Sequence, residues 1–183
     1  KCFFCSFAVC VSKDKHVDEY LQALETEAAL YKGHEIKTVY IGGGTPTFLN
    51  PSQLERLHRL IVSNFNTKHT SEWTIETNPD SIDHAKAVLL RRLGFDRISI
   101  GAQTTHASYL RFLGRTHRVK DIPACFDMLR QVGFFNINLD MMFGFPGQTL
   151  GQLAKDMKVL TKLGSEHLSI YNLSVERNSL FHR

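Results

Sequence analysis

The chain has 183 residues, 43% of them hydrophobic and 22% charged. That balance excludes a disordered tail or a collagen-like repeat and suits one domain able to fold around its own core without disulfide staples. A formal charge of +4 suits an acidic small ligand and lacks the dense basic stripe of a nucleic-acid binder.

The expected elements alternate along the chain. Val17, Tyr20, Leu21, Leu24, Ala28 and Tyr31 fall at helical spacing, and Gly33 ends that helix. Thr38–Ile41 is a short β-branched and aromatic strand, broken by three glycines. Pro51 opens a helix whose apolar face is Leu54, Leu57, Ile61 and Phe65. A strand is expected over 73–76, then a helix with Ala85, Val88 and Leu89 that Gly94 ends. A strand over 97–100 precedes two helices, one over 107–113 and one through Ile122, Phe126 and Leu129 ended by Gly133. A strand over 136–141 follows. Leu150, Leu153, Met157 and Leu160 then make a helical face, and His167–Asn172 is the last strand.

Strand, helix and strand in alternation imply parallel pairing through right-handed crossovers. The strands read as mostly apolar on both faces, as in a parallel sheet covered by helices. An open doubly wound sheet and a barrel or part-barrel both fit this pattern. No apolar run reaches membrane-spanning length, and no export signal is read. With only four cysteines, a cytoplasmic chain with reduced thiols is expected.

The unusual polar residues collect after the strands. Gly42-Gly43-Gly44-Thr45-Pro46 follows the first, Glu76-Thr77-Asn78-Pro79 the second and Gly101-Ala102-Gln103 the third. Asp140 closes the fourth, before Gly144-Phe145-Pro146-Gly147-Gln148-Thr149, and Tyr171-Asn172 closes the fifth. The C-terminal edge of a parallel sheet is where α/β folds carry their ligands. The three glycines serve either a tight turn or close backbone approach to a ligand; no phosphate loop or dinucleotide fingerprint is present. Glu76 caps a helix, joins a salt bridge or meets a ligand; Gln103 satisfies loop backbone or a ligand; Arg115 is a solvated surface residue or a contact.

Cys2-Phe3-Phe4-Cys5 is compatible with zinc, thiol redox or iron–sulfur chemistry. A zinc site wants a second ligand pair, which Cys125 in a helix does not supply; it reads as buried filler, and Cys10 reads as unliganded. The nine histidines form neither H-E-x-x-H nor H-x-x-E-H.

Taken together, these motifs resemble a known family. Lys1-Cys2-Phe3-Phe4-Cys5-Ser6-Phe7 resembles the end of the C-x-x-x-C-x-x-C segment of radical S-adenosylmethionine proteins, and Val39-Tyr40-Ile41-Gly42-Gly43-Gly44-Thr45-Pro46-Thr47 their glycine-rich motif. Glu76-Thr77-Asn78-Pro79, Arg97-Ile98-Ser99-Ile100-Gly101-Ala102-Gln103, Leu113-Gly114-Arg115-Thr116-His117 and the stretch from Asn138 to Thr149 resemble one group within it. That group holds the oxygen-independent coproporphyrinogen III oxidases and the related haem chaperones. The resemblance spans the whole chain in order.

It implies an α/β fold, a partial (β/α) barrel of parallel strands alternating with helices, holding a [4Fe–4S] cluster and S-adenosylmethionine. In such proteins three cysteines ligate three irons, the fourth iron chelates S-adenosylmethionine, and an electron from the cluster yields a 5′-deoxyadenosyl radical. Cys2 and Cys5 match the second and third cluster ligands. The first ligand, the first barrel strand and a C-terminal domain are expected outside residues 1–183, which read as the core domain of a longer protein. Phe4 matches an aromatic that packs by S-adenosylmethionine. Gly43, Gly44 and Thr45 match the cradle for its methionyl amino group or for a second molecule, and Glu76 a carboxylate contacting it. Gln103, Arg115 and Asp140 match contacts to a second S-adenosylmethionine in the oxidases; whether one or two bind is left open.

Two functions follow from the resemblance. A haem chaperone binds haem and passes it to acceptor proteins. An oxidase decarboxylates porphyrinogen propionates. The oxidases carry a cysteine two residues after the third ligand, where this chain has Phe7, so the chaperone reading is preferred. Another radical reaction, including haem breakdown or RNA modification, is the remaining alternative. Expected partners are S-adenosylmethionine, haem or porphyrinogen, haem-acceptor proteins, and a reductant such as flavodoxin or ferredoxin.

Overall fold

A computed structural model describes residues 2–8 and 16–182. Strands β1 (Thr38–Ile41), β2 (Glu72–Thr77), β3 (Arg97–Gln103), β4 (Asn136–Phe143) and β5 (His167–Asn172) form one sheet in chain order, every pair parallel. Helices α1 (Val17–Ala29), α2 (Pro51–Asn64), α3 (His84–Arg92), α4 (Ala107–Phe112), α5 (Asp121–Val132) and α6 (Leu150–Thr161) fill the connections. A doubly wound sheet reverses its strand order at a switch point. Here each strand is added on the same side of the one before. The crossovers therefore put their helices on one face, and the sheet curls into a half-barrel.

Local chemistry sets the helix starts. Asn50 accepts from the Gln53 amide in a reciprocal capping box, with Pro51 in the first turn. Asp83 caps α3 through the Lys86 amide. Thr149 and Gln152 form a second capping box at the start of α6. β2, β3 and β4 each run further than the periodicity predicts, towards their C-terminal ends.

The strands are two-faced, which corrects the expectation of apolar residues on both sides. The helix-covered face carries Ile75, Ile98, Ile100, Ala102, Ile137, Leu139 and Met141, all buried in the main core. The concave face carries Tyr40, Thr74, Glu76, Arg97, Ser99, Asn138, Asp140 and Ser169, with period two along each strand. Ser99 and Asn138 are nevertheless buried, so burial is not apolarity here. They hydrogen-bond one another instead.

Two helical faces are also rotated from those expected. On α3 the buried line is Ala87, Leu89 and Leu90, and Val88 is exposed. On α6 Leu150 and Met157 are exposed, while Asp156 and Leu160 are fully buried. A three-or-four spacing fits more than one face of a short helix, and packing against the sheet decides between them. No helix among the described residues is long and apolar enough to cross a membrane.

Candidate functional site

The rim of the half-barrel begins where β1 and β2 end. The Glu76 carboxylate accepts the Tyr40 hydroxyl on Oε1 at 2.7 Å and the Gly43 amide on Oε2 at 3.3 Å. Its partners are thus a phenol and a backbone amide, not a helix start or a cationic side chain. A Cβ at Gly42 would lie 2.9 Å from Glu76 Oε1 and 3.0 Å from the Tyr40 ring. Glycine there lets the strand end approach the carboxylate without displacing it or the Tyr40 ring. Burial, reinforced by the bond to Glu76, pushes the Tyr40 phenol well above its ordinary pKa. Thr45 Oγ1 donates to the Gly44 carbonyl at 2.7 Å and accepts Asn78 Nδ2 at 2.9 Å. The glycine loop is thereby tied to the end of β2.

At the end of β3 the register against β4 shifts between Gly101 and Gln103. Gln103 has φ +67°, the one positive φ outside glycine among the described residues. The Thr104 amide reaches back to the Ala102 carbonyl at 2.9 Å, closing a three-residue turn of the strained hand around Gln103. The Arg115 guanidinium seals this corner. Its Nη2 donates to Asn78 Oδ1 at 2.5 Å and to the Gly101 carbonyl at 2.7 Å. A Cβ at Gly101 would meet Asn78, Gln103 and Arg115 within 3.0 Å. Arg115 is therefore a bonded member of the rim rather than a free surface cation.

Asp140, on the concave face of β4, takes Asn138 Nδ2 at 2.8 Å on one oxygen and Ser99 Oγ at 3.2 Å on the other. Asn138 in turn accepts Ser169 Oγ at 3.0 Å. Burial raises the Asp140 pKa, against the opposing bonds from Asn138, Ser99 and Ser169 and the nearby Arg97 charge.

The cysteines stand over the same edge. Cys2 and Cys5 share a turn in which the Cys5 amide donates to the Cys2 carbonyl at 3.3 Å, and both thiols are free and half-buried. The Phe3 amide donates to the Leu113 carbonyl at 2.9 Å. Phe4 packs against a small apolar cluster of Leu113, Met142 and Phe145. Arg115 Nη1 donates to Cys2 Sγ at 3.4 Å, which joins the thiol turn to the strand ends. Among the described residues no three metal-ligating side chains gather in one place; Cys10 lies outside them. Two free sulfurs in one turn beside a guanidinium fit two positions of a thiolate-ligated cluster. Cys125 is buried in the core on α5, and burial pushes its thiol up to about 12, so it is inert.

Glu76, Gln103, Arg115 and the Gly43–Thr45 loop thus lie along one sheet edge, which the cysteine turn joins through Arg115; Asp140, expected to close β4, lies inside it on the concave face opposite Gly101, because β4 runs on to Phe143. Sequence reasoning did not single out Tyr40, Asn78, Ser99 or Asn138. The polar period-two run Asn136, Asn138, Asp140 was a usable signal for the last of these.

Comparison with known proteins agrees with this geometry. The model of the Radical SAM superfamily matches residues 1–160. The chain is 39% identical over 186 residues to heme chaperone HemW of Bacillus subtilis (strain 168), covering 99% of this chain and 49% of that one. It is 35% identical over 176 residues to the oxygen-independent coproporphyrinogen III oxidase of Escherichia coli (strain K12), covering 93% of this chain and 38% of that one. The solved coproporphyrinogen III oxidase (HemN) of Escherichia coli, a radical SAM enzyme, superposes with TM-score 0.86 at 34% identity over 99% of this chain and 43% of its own. The chain spans at most about half the length of these relatives. A half-barrel with a thiol pair over its C-terminal rim, matched by one family model through most of its length, belongs to the radical SAM superfamily, whose chemistry implies a [4Fe–4S] cluster and S-adenosylmethionine.

Proposed function

We propose that residues 1–183 form the cofactor-holding core of a haem chaperone in the coproporphyrinogen oxidase-like branch of this superfamily. The identity to heme chaperone HemW and Phe7, at the place where the oxidases carry a further cysteine, support that branch. Cys2 and Cys5 hold two irons, with a third thiolate from a residue preceding Cys2. When bound, the cluster supplies an electron to a sulfonium carbon–sulfur bond of S-adenosylmethionine.

The chain's own groups bind and orient that cofactor. Glu76, fixed by Tyr40 and the Gly43 amide, accepts ligand N–H or O–H groups. The Gly43–Thr45 backbone approaches closely because Gly42 and Gly43 present no Cβ. Gln103, Arg115 and Asp140 offer donors and an acceptor further along the rim. The apolar cluster of Leu113, Met142 and Phe145 seats Phe4 between the two cysteines. Haem or a porphyrinogen is the cargo, acceptor proteins receive it, and flavodoxin or ferredoxin supplies electrons in the cytoplasm.

One relation carries the reading: Cys2 Sγ, the Arg115 guanidinium and the Gly101 carbonyl form one bonded line. It sets the thiol turn above the strands that bear Glu76 and Asp140. The test is anaerobic reconstitution of the full-length protein, followed by haem titration and assay for porphyrinogen turnover. Stoichiometric haem retention without decarboxylated product is the expected result. Decarboxylated product instead assigns the oxidase, and failure to form an iron–sulfur chromophore overturns the cofactor assignment.

A further inference from the structure

The strained turn at Gln103 needs an anchor. A non-glycine residue in the left-handed region is strained because its Cβ crowds the backbone carbonyl, and such a conformation persists only where its surroundings over-determine it. The bulge against β4 lets the chain turn but does not hold it there. The next two residues do. Thr104 and Thr105 are buried, and their donors converge on a single carboxylate, that of Asp156.

Asp156 lies on α6, more than fifty residues along the chain, and is fully buried. Thr104 Oγ1 donates to its Oδ2 at 2.7 Å. The Thr105 amide and hydroxyl donate to its Oδ1 at 2.6 and 2.5 Å. The His106 imidazole stands 3.8 Å from the same oxygen. A buried carboxylate is tolerated only when hydrogen bonds compensate its lost hydration. Here the three bonds come from the two residues directly after the strained one. A second tie runs in parallel: His106 Nε2 contacts the Gln152 carbonyl at 3.2 Å and the Tyr109 hydroxyl donates to Gln152 Oε1 at 3.0 Å. Helix α6 is itself fixed by its capping box and by the fully buried Leu160.

We propose that Asp156 is a positioning residue for the rim: through Thr104 and Thr105 it locks the left-handed turn that sets the direction of the Gln103 side chain, beside the Gly101 carbonyl that Arg115 holds. Its effect on ligand affinity rests on the proposed reading of Gln103 as a cofactor contact. Its effect on the turn does not.

The experiment uses the reconstituted full-length protein. D156N keeps the shape and removes the charge; T105V removes one donor and keeps the volume, and serves alone if D156N does not fold. Amide exchange at position 105, corrected for the intrinsic rate of the residue there, should accelerate in either variant while the core strands stay protected. S-adenosylmethionine affinity should fall about tenfold in D156N, the range in which removing an outer-shell partner weakens a site. The double variant Q103A/D156N should bind no worse than Q103A alone. Unchanged corrected exchange at position 105 in T105V or D156N overturns the proposal, as does additivity of the two affinity losses. Equal binding by Q103A and wild type instead removes the ligand role of Gln103, and the exchange result still decides whether Asp156 holds the turn.

Discussion

Arg115 Nη1 donates to Cys2 Sγ at 3.4 Å while Nη2 grips Asn78 Oδ1 and the Gly101 carbonyl. One rigid guanidinium fork thus spans the thiol turn and the tips of two strands. A hydrogen bond and positive charge at a ligating sulfur stabilise the reduced, more negative cluster. Replacing Arg115 by Gln should therefore move the cluster midpoint to more negative potential in an EPR-monitored titration. R115K keeps the charge but not the planar fork, and should shift it less. An unchanged midpoint in R115Q would separate Arg115 from the cluster.

Gly42 and Glu76 make a second test of the rim. In G42A the new methyl meets Glu76 Oε1 and the Tyr40 ring at about van der Waals overlap, so the carboxylate must leave Tyr40 or the Gly43 amide. The contact lies on the concave face, opposite the main core, so the thermal midpoint should change little. S-adenosylmethionine affinity, measured by calorimetry on the reconstituted protein, should fall about tenfold, equivalent to about 1.4 kcal/mol. E76Q keeps the bond from Tyr40 and loses the charge. It should weaken binding comparably, which ties the effect to the carboxylate.

The order of elements and the edge that carries the site were readable because they depend on local signals. Gly42–Gly44, Glu76 and Gln103 stand at the ends of short strand runs and Asp140 in the polar alternation of the next, and a parallel sheet brings such positions together. Arg115, just past the end of the helix over 107–112, follows no strand and is singled out only through the family resemblance. Two things were not readable. The polar concave face was hidden because Ser99 and Asn138 are buried like core residues yet satisfied across strands that periodicity cannot pair. Asp156 was hidden because a carboxylate beside Met157 on an amphipathic helix looks like its solvent face. Only the tertiary position of Thr104 and Thr105 makes it the buried one.

His117 gives the fold an acid-sensitive point. Its ring is 3% exposed. Neither nitrogen meets a partner at full hydrogen-bond geometry, and the Ala102 carbonyl beside it gives partial support. Burial, then the Arg115 charge, pushes its pKa down to about 4. The unfolded chain takes up this proton near pH 6.5, so the folded state loses stability as pH falls from there towards 4. The slope from one such group approaches about 1.4 kcal/mol per pH unit. Asp140 acts in the opposite sense, since its raised pKa makes the fold gain as that carboxyl protonates. Urea unfolding of wild type and H117Q at pH 7.5 and 5 should show a smaller acid loss in H117Q. An equal loss in both would place the acid sensitivity elsewhere.

Gly114 holds the cysteine turn from below. Its φ is +71°, and a Cβ there would lie 2.8 Å from the Phe3 ring. The Phe3 amide is bonded to the preceding Leu113 carbonyl, and the Phe3 carbonyl accepts the Phe181 amide at 3.1 Å. These two bonds hold the Phe3 backbone in place, so the ring must turn away or carry the backbone with it. In G114A the left-handed backbone alone should cost about 1–2 kcal/mol. The methyl should also lift Phe3 and open the turn between Cys2 and Cys5. The expected outcome is a lowered thermal midpoint together with lower iron and sulfide content after reconstitution. A second variant, F3A/G114A, removes the clash but keeps the strained backbone. If contact with Phe3 transmits the damage, this variant should regain more iron than G114A while staying below wild type in stability. Equal iron content in the two variants would mean that the backbone strain, and not the ring, disturbs the thiols.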